Sequence, residues 1–225
     1  MSQEFAITDE QMKKFEELLS DKQKISQAVS KQEAKFDMFS SLAGSSRVLF
    51  DLKTKLPFTF KGQVLVSCDS SNSKDVLLGL ARFVIQSNQK PVFVLMNYNY
   101  KTIQDALKAE GITAEYIIID TVAKGISLVS DKDNVLFVDS LRNLTQIQIK
   151  LINILEYNKG VAFIFDSLGV LNLYHEEEVV FKFIYSLTKI LHKENANGFY
   201  ISSKKGLAPK LSQFFDESID LKKYI

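Results

Sequence analysis

Four short runs restrict this chain's fold more than any other feature: PVFVLM at 91–96, YIIID at 116–120, VLFVD at 135–139 and VAFIFD at 161–166. Each is almost continuously apolar. A strand with one wet face alternates apolar and polar residues, so these strands expect cover on both faces, as in a parallel sheet. The stretches between them repeat apolar residues at helical spacing. Leu77, Leu80, Ala81, Val84 and Ile85 share one face of a helix over 74–86, with Ser73 as its expected cap. A helix over 101–110 stops at Gly111, and one over 144–157 carries Ile147, Leu151 and Ile154 or Leu155. A helix over 176–193 presents Val180, Phe183, Ile184, Leu187, Ile190 and Leu191. Further strands are expected over 63–67 and 198–202, with an edge strand over 216–221. The alternation predicts an α/β three-layer fold around a mostly parallel central sheet.

Residues 8–39 predict a long helix ahead of this domain. Thr8 and Gln11 form a capping box, and Asp9 and Glu10 occupy the first turn, where the helix dipole favours acids. Its apolar stripe is thin (Met12, Phe15, Leu18, Leu19, Ile25, Val29, Phe36, Phe39) and its middle is polar. That pattern suits either an arm packed on the domain edge or a weak coiled coil. The run LAGSSR at 42–47 is the expected break, which divides the chain into a helical arm over 1–44 and an α/β domain over 45–225.

Charge and cysteine content remove several classes of function. A net charge of +1 over 225 residues supplies no global attraction to nucleic acid or to an anionic membrane. One cysteine excludes an internal disulfide, and two histidines leave no Cys/His metal spacing. No run approaches the ~18 apolar residues of a membrane span. The start, MSQEFAITDEQMKKF, is too polar for a signal peptide. The expected location is cytoplasmic.

The stretch VLVSCDSSNSKD opens as a phosphate-binding unit would, with a strand, a small polar loop and a lysine at a helix start. A phosphate loop follows G-x-x-x-x-G-K-[ST]; here those places hold Cys68, Asp69, Ser70, Ser71, Asn72, Ser73, Lys74 and Asp75. Both glycines, which let N–H groups close around phosphate without a Cβ in the way, are absent. Asp75 stands where a hydroxyl should hold Mg²⁺. Two aspartates beside polyphosphate repel it: at an effective dielectric of ~20, unit charges ~4 Å apart cost about 4 kcal/mol. A helix terminus offsets only ~0.3–1 kcal/mol of that.

Downstream, PVFVLMNYNYKTIQDALKAEGI, YIIIDTVAKG, VLFVDSLRNLTQIQIKLINIL and FIFDSLGVLNLYHEEEVVFKFIYSLTKIL follow in an order and spacing that resembles the RecA/KaiC-like P-loop ATPases. More narrowly, they resemble an archaeal KaiC-like branch with a degenerate Walker A motif. The resemblance covers 47 to about 221, and FIFDSLGVLNLY is similar to the family's Walker B strand. It implies that residues 68–75 would hold nucleotide, if any is held, and that Asp75 and Asp166 would hold a metal. It also implies an acidic residue after the second strand to activate water. The chain has Asn97 there, which can orient a water but cannot take its proton.

Other chemistry-bearing residues have simpler readings. Cys68 has no evident partner as a nucleophile, and His175 with Glu176, Glu177 and Glu178 reads as a helix start. Lys204, Lys205 and Lys210 fall at the carboxyl edge of the sheet, as solvated lysines or a contact for DNA or a neighbour. Asn97, Tyr98 and Tyr100 occupy a loop at the same edge, where the tyrosines can stack on a base or a partner. Loops 68–75, 97–101, 139–143 and 167–175 are expected to meet there. The function expected is that of a pseudo-ATPase, a non-catalytic interaction scaffold. It would need no cofactor, and its partner would be a protein: another RecA/KaiC-like ATPase or a second copy. The alternatives are a weak Mg-ATP-binding switch and a recombinase-like DNA-repair accessory protein.

Overall fold

The computed structural model describes residues 44–123, 131, 134–203 and 208–221. The expected helical arm, and with it Lys204 and Lys205, lies outside these residues.

Seven strands form one sheet: β1 (Gln63–Cys68), β2 (Lys90–Leu95), β3 (Ile117–Asp120), β4 (Val135–Phe137), β5 (Val161–Asp166), β6 (Asn197–Ser203) and β7 (Glu217–Asp220). Their order is β4-β3-β2-β5-β6-β1-β7, and every pairing is parallel. The helices are α1 (Gly44–Lys55), α2 (Ser73–Gln86), α3 (Tyr100–Ala109), α4 (Leu144–Tyr157), α5 (Glu177–Lys193) and a short α6 (Ala208–Leu211). The predicted elements after residue 60 appear within one or two residues of their expected bounds.

Strand alternation explains the layers. Val64, Val66, Ala162, Ile164, Phe199 and Ile201 point to one face and pack with α1, α2 and α3. Their neighbours Leu65, Phe163, Phe165 and Tyr200 point to the other and pack with α4 and α5. From β1 through β4 the chain steps in one direction along the sheet; from β4 through β7 it steps back. Right-handed crossovers place helices of the two halves on opposite faces. After β2 and after β5 the chain therefore departs in opposite directions, and a crevice opens at their carboxyl ends.

One helix was not foreseen. Residues 44–47 of the expected break are the first turn of α1, a segment whose Gly-Ser-Ser start has low helix propensity. Tertiary contacts hold it. Val48 and Leu52 are fully buried, and Ser45 Oγ donates to Glu110 Oε2 at 2.7 Å. Arg82 joins the same carboxylate at 2.9 Å, so the Ser45 bond and, against some desolvation, the Arg82 contacts hold the Glu110 carboxyl below its ordinary range. The α1–α2 approach depends on Gly79, where a Cβ would lie 2.5 Å from Val48 Cγ1 and 2.9 Å from the Ser45 carbonyl oxygen. Gly79→Ala is accordingly expected to cost about 1–3 kcal/mol by overpacking, measured by urea denaturation.

Candidate functional site

The crevice at the carboxyl edge has a volume of about 210 Å³ and is lined by Cys68, Ser70, Ser73, Asn97, Ser167, Gly169, Val170, Leu173 and Ser203. Three of the four loops expected at this edge thus meet in it. The fourth, 139–143, joins through His175, whose Nε2 lies 2.9 Å from the Leu141 carbonyl oxygen. Hydroxyl, thiol and amide side chains line it together with Val170 and Leu173, and Leu173, 78% exposed, forms an apolar lip.

The loop after β1 is a short 3₁₀ turn over Ser70–Asn72 that runs straight into α2. Asp69, Asn72 and Ser73 all have negative φ. Asn72 N–H donates to the Asp69 carbonyl at 2.9 Å, and Ser73 N–H donates to the Ser70 carbonyl. These N–H groups bond within the turn instead of pointing at a common centre. Ser73, at the place of the second glycine, is buried; its hydroxyl donates to the Ser70 carbonyl at 3.0 Å and shares a 2.9 Å hydrogen bond with the Tyr98 hydroxyl. It does not cap α2 as expected, since the N-cap is Asn72, which makes no side-chain cap bond. Cys68 is buried and unbridged, Ser71 is exposed and Asp69 half-buried.

Lys74 and Asp75 leave the loop on different sides. Lys74 is exposed. Asp75, Gly79 and Arg82 share the face of α2 that meets α1, and a Cβ on Gly44 would fall on the Asp75 carboxylate. Asp75 therefore sits against the amino end of α1, where the helix dipole favours an acid.

Asp166 ends β5 fully buried, on the α2 side of the sheet by strand alternation. Neither carboxylate oxygen meets a donor in hydrogen-bond geometry, although the N–H groups of Tyr98 and Asn97 face it. Burial pushes its carboxyl up to about 7, and those two N–H groups hold it partly back. The peptide from Asp166 to Ser167 is cis. The Mg²⁺ that the fold resemblance implies would need Asp75 and Asp166 on one ion. The donor set does not fit, because one carboxylate faces α1 and the other is closed beneath the 97–98 loop.

The remaining candidates separate. Asn97 is exposed on the crevice wall. Tyr98 is half-buried against the α1–α3 core, with its hydroxyl on Ser73. Tyr100 is not a loop aromatic: it begins α3, is buried, and meets Phe137 edge-on at 5.4 Å. Lys210 pairs with Glu177 at 2.8 Å, and Glu177 and Glu178 occupy the first turn of α5.

Asp120 does more than end β3. It is fully buried and accepts from the N–H groups of Tyr100, Val122 and Ala123 at 2.7–2.8 Å, which fixes the loop after β3 to the start of α3. An aspartate followed by Thr-Val-Ala at a strand end carries that turn signal.

No family model and no curated protein matches the chain. Among solved structures it is similar to the crystal structure of a KaiC-like protein from the hyperthermophilic archaeon Pyrococcus horikoshii OT3. The TM-score is 0.51, with 13% identity and 72% of each chain covered. The fold is RecA/KaiC-like. At that identity the likeness concerns the fold alone, and the side chains on it carry the functional reading. Among the described residues, no helix of this KaiC-like fold is long and apolar enough to cross a membrane.

Proposed function

We propose that this chain is a cytoplasmic KaiC-like protein, of archaeal type, that no longer hydrolyses nucleotide and acts as an interaction scaffold for a protein partner at the carboxyl-edge crevice. The observation that carries this reading is the closed turn at 68–73, whose Asn72 and Ser73 N–H groups bond to the turn's own carbonyls. A phosphate group would have to break both bonds and displace the Ser73–Tyr98 contact. Asn97 supports the reading independently, since an amide on the crevice wall cannot act as a base.

Two measurements test it. Phosphate release from Mg-ATP is expected at background, with no change in Lys74→Ala; metal-dependent turnover that disappears in Lys74→Ala overturns the proposal. Thermal denaturation with increasing Mg-ATP is expected to show no shift. A ligand bound at a hundred times its Kd adds ~2.7 kcal/mol, so binding without turnover would be visible and would favour a nucleotide switch instead.

A further inference from the structure

α4 and α5 end side by side just before β5 and β6, so the gap between their last turns opens at the amino edge of the sheet, opposite the crevice. There they enclose a groove of about 420 Å³ lined by Ile152, Leu155 and Ile190, with Glu156, Lys159, Lys193 and Glu194 around it. The apolar surface continues along α4. Ile149 is 52% exposed, Ile152 45% and Tyr157 79%, and Ile149, Ile152 and Glu156 form one stripe at helical spacing. Aliphatic side chains left half in water beside an apolar groove mark a surface that is covered in use.

The four surrounding charges identify the cover. Among the described residues, none of Glu156, Lys159, Lys193 and Glu194 makes an ion pair. Several charges elsewhere on α4 and α5 do: Lys150 meets Asp131 at 2.8 Å, Lys182 meets Glu178 at 2.6 Å, and Glu177 meets Lys210 at 2.8 Å. Each rim of the groove carries one acid and one base, Glu156 with Lys159 on the α4 side and Lys193 with Glu194 on the α5 side. A surface of zero net charge selects neither an acidic nor a basic partner, but it is complementary to itself. We propose that this face is a two-fold interface with a second copy of the chain, in which Ile149 and Ile152 of one protomer enter the groove of the other. A two-fold axis sets the same patch against itself, and each rim holds both an acid and a base with which the partner's can pair. The chain's net charge of +1 puts no general repulsion in the way. The interface lies opposite the crevice and holds whether or not the crevice takes a partner.

Light scattering on the full chain during size-exclusion chromatography, from micromolar to near-millimolar concentration, tests the proposal. The mass is expected to rise from 25.5 kDa towards twice that value. Ile152→Asp is expected to weaken the association about 30-fold or more, as a central apolar contact replaced by a charge. Ile149→Lys serves as a second variant, and both sites are exposed enough for the monomer to fold, which circular dichroism verifies. A chain that stays monomeric throughout overturns the proposal, as does a dimer that neither variant weakens.

Discussion

Asp166→Asn is expected to stabilise the domain at pH 8 by an amount that vanishes near pH 4. In the unfolded chain the carboxyl titrates at ~3.9; in the fold, burial lifts it to about 7. The native state thus binds the proton more tightly than the unfolded state. At low pH both states hold it, and the group is neutral for stability. As pH rises between those two values the unfolded state releases the proton first and stability falls. Above the higher value the fold bears a buried ionised carboxylate that the Asn97 and Tyr98 N–H groups face without closing a hydrogen bond. Three pKa units correspond to ~4 kcal/mol. Asparagine keeps the shape and removes the charge. Its unpartnered amide hydrogens cost about as much as the O–H of the protonated acid, so the two proteins converge in acid. Urea denaturation at several pH values, without divalent cations, measures the difference. Parallel stability curves for the two proteins would show that Asp166 finds a partner in solution.

Phe165→Ala is expected to be strongly destabilising. The Phe165 ring is fully buried in β5 and stacks on Tyr200 at 4.4 Å with an interplanar angle of 6°, while Phe163 lies 6.3 Å away on the same face. Removing a ring from a core that cannot close around the gap costs about 3–5 kcal/mol. For a domain of this size that lowers Tm by roughly 10 °C. Tyr200 is affected as well, since its hydroxyl meets Gln63 Oε1 at 3.1 Å in the buried polar cluster at the amino edge. The denaturant slope should stay unchanged, as the surface exposed on unfolding is the same. A loss below 1 kcal/mol, similar to the expected effect of exposed Ile149→Ala, would mean that the layer repacks.

The elements were legible because their signals are local. Continuous apolar runs mark strands covered on both faces, and 144–157 shows its helical stripe from end to end. Where local signals misled, a distant residue had the larger effect. Gly44-Ser45-Ser46 looks like a break, yet Glu110 and α2 hold it as helix. Tyr100 looks like a loop aromatic, yet its N–H donates to Asp120 at 2.7 Å and its ring meets Phe137 in the core. Ser73 looks like a cap, yet its hydroxyl is held by Ser70 and Tyr98.

By itself the sequence determined the layered α/β class, Cys68 and Ser73 in place of glycines at the loop after β1, and an amide, Asn97, in the loop after β2. Those follow from residue identity and from periodicities that span only a few positions. Tertiary structure alone decided the strand order, and with it which loops share the crevice. It also turned Asp75 towards α1, set the Tyr98 hydroxyl on Ser73 and left Asp166 buried beneath residues 97–98. The physical reason is separation. Asp166 and the Asn97 and Tyr98 N–H groups stand far apart along the chain, and only the pairing of β2 with β5 brings them together.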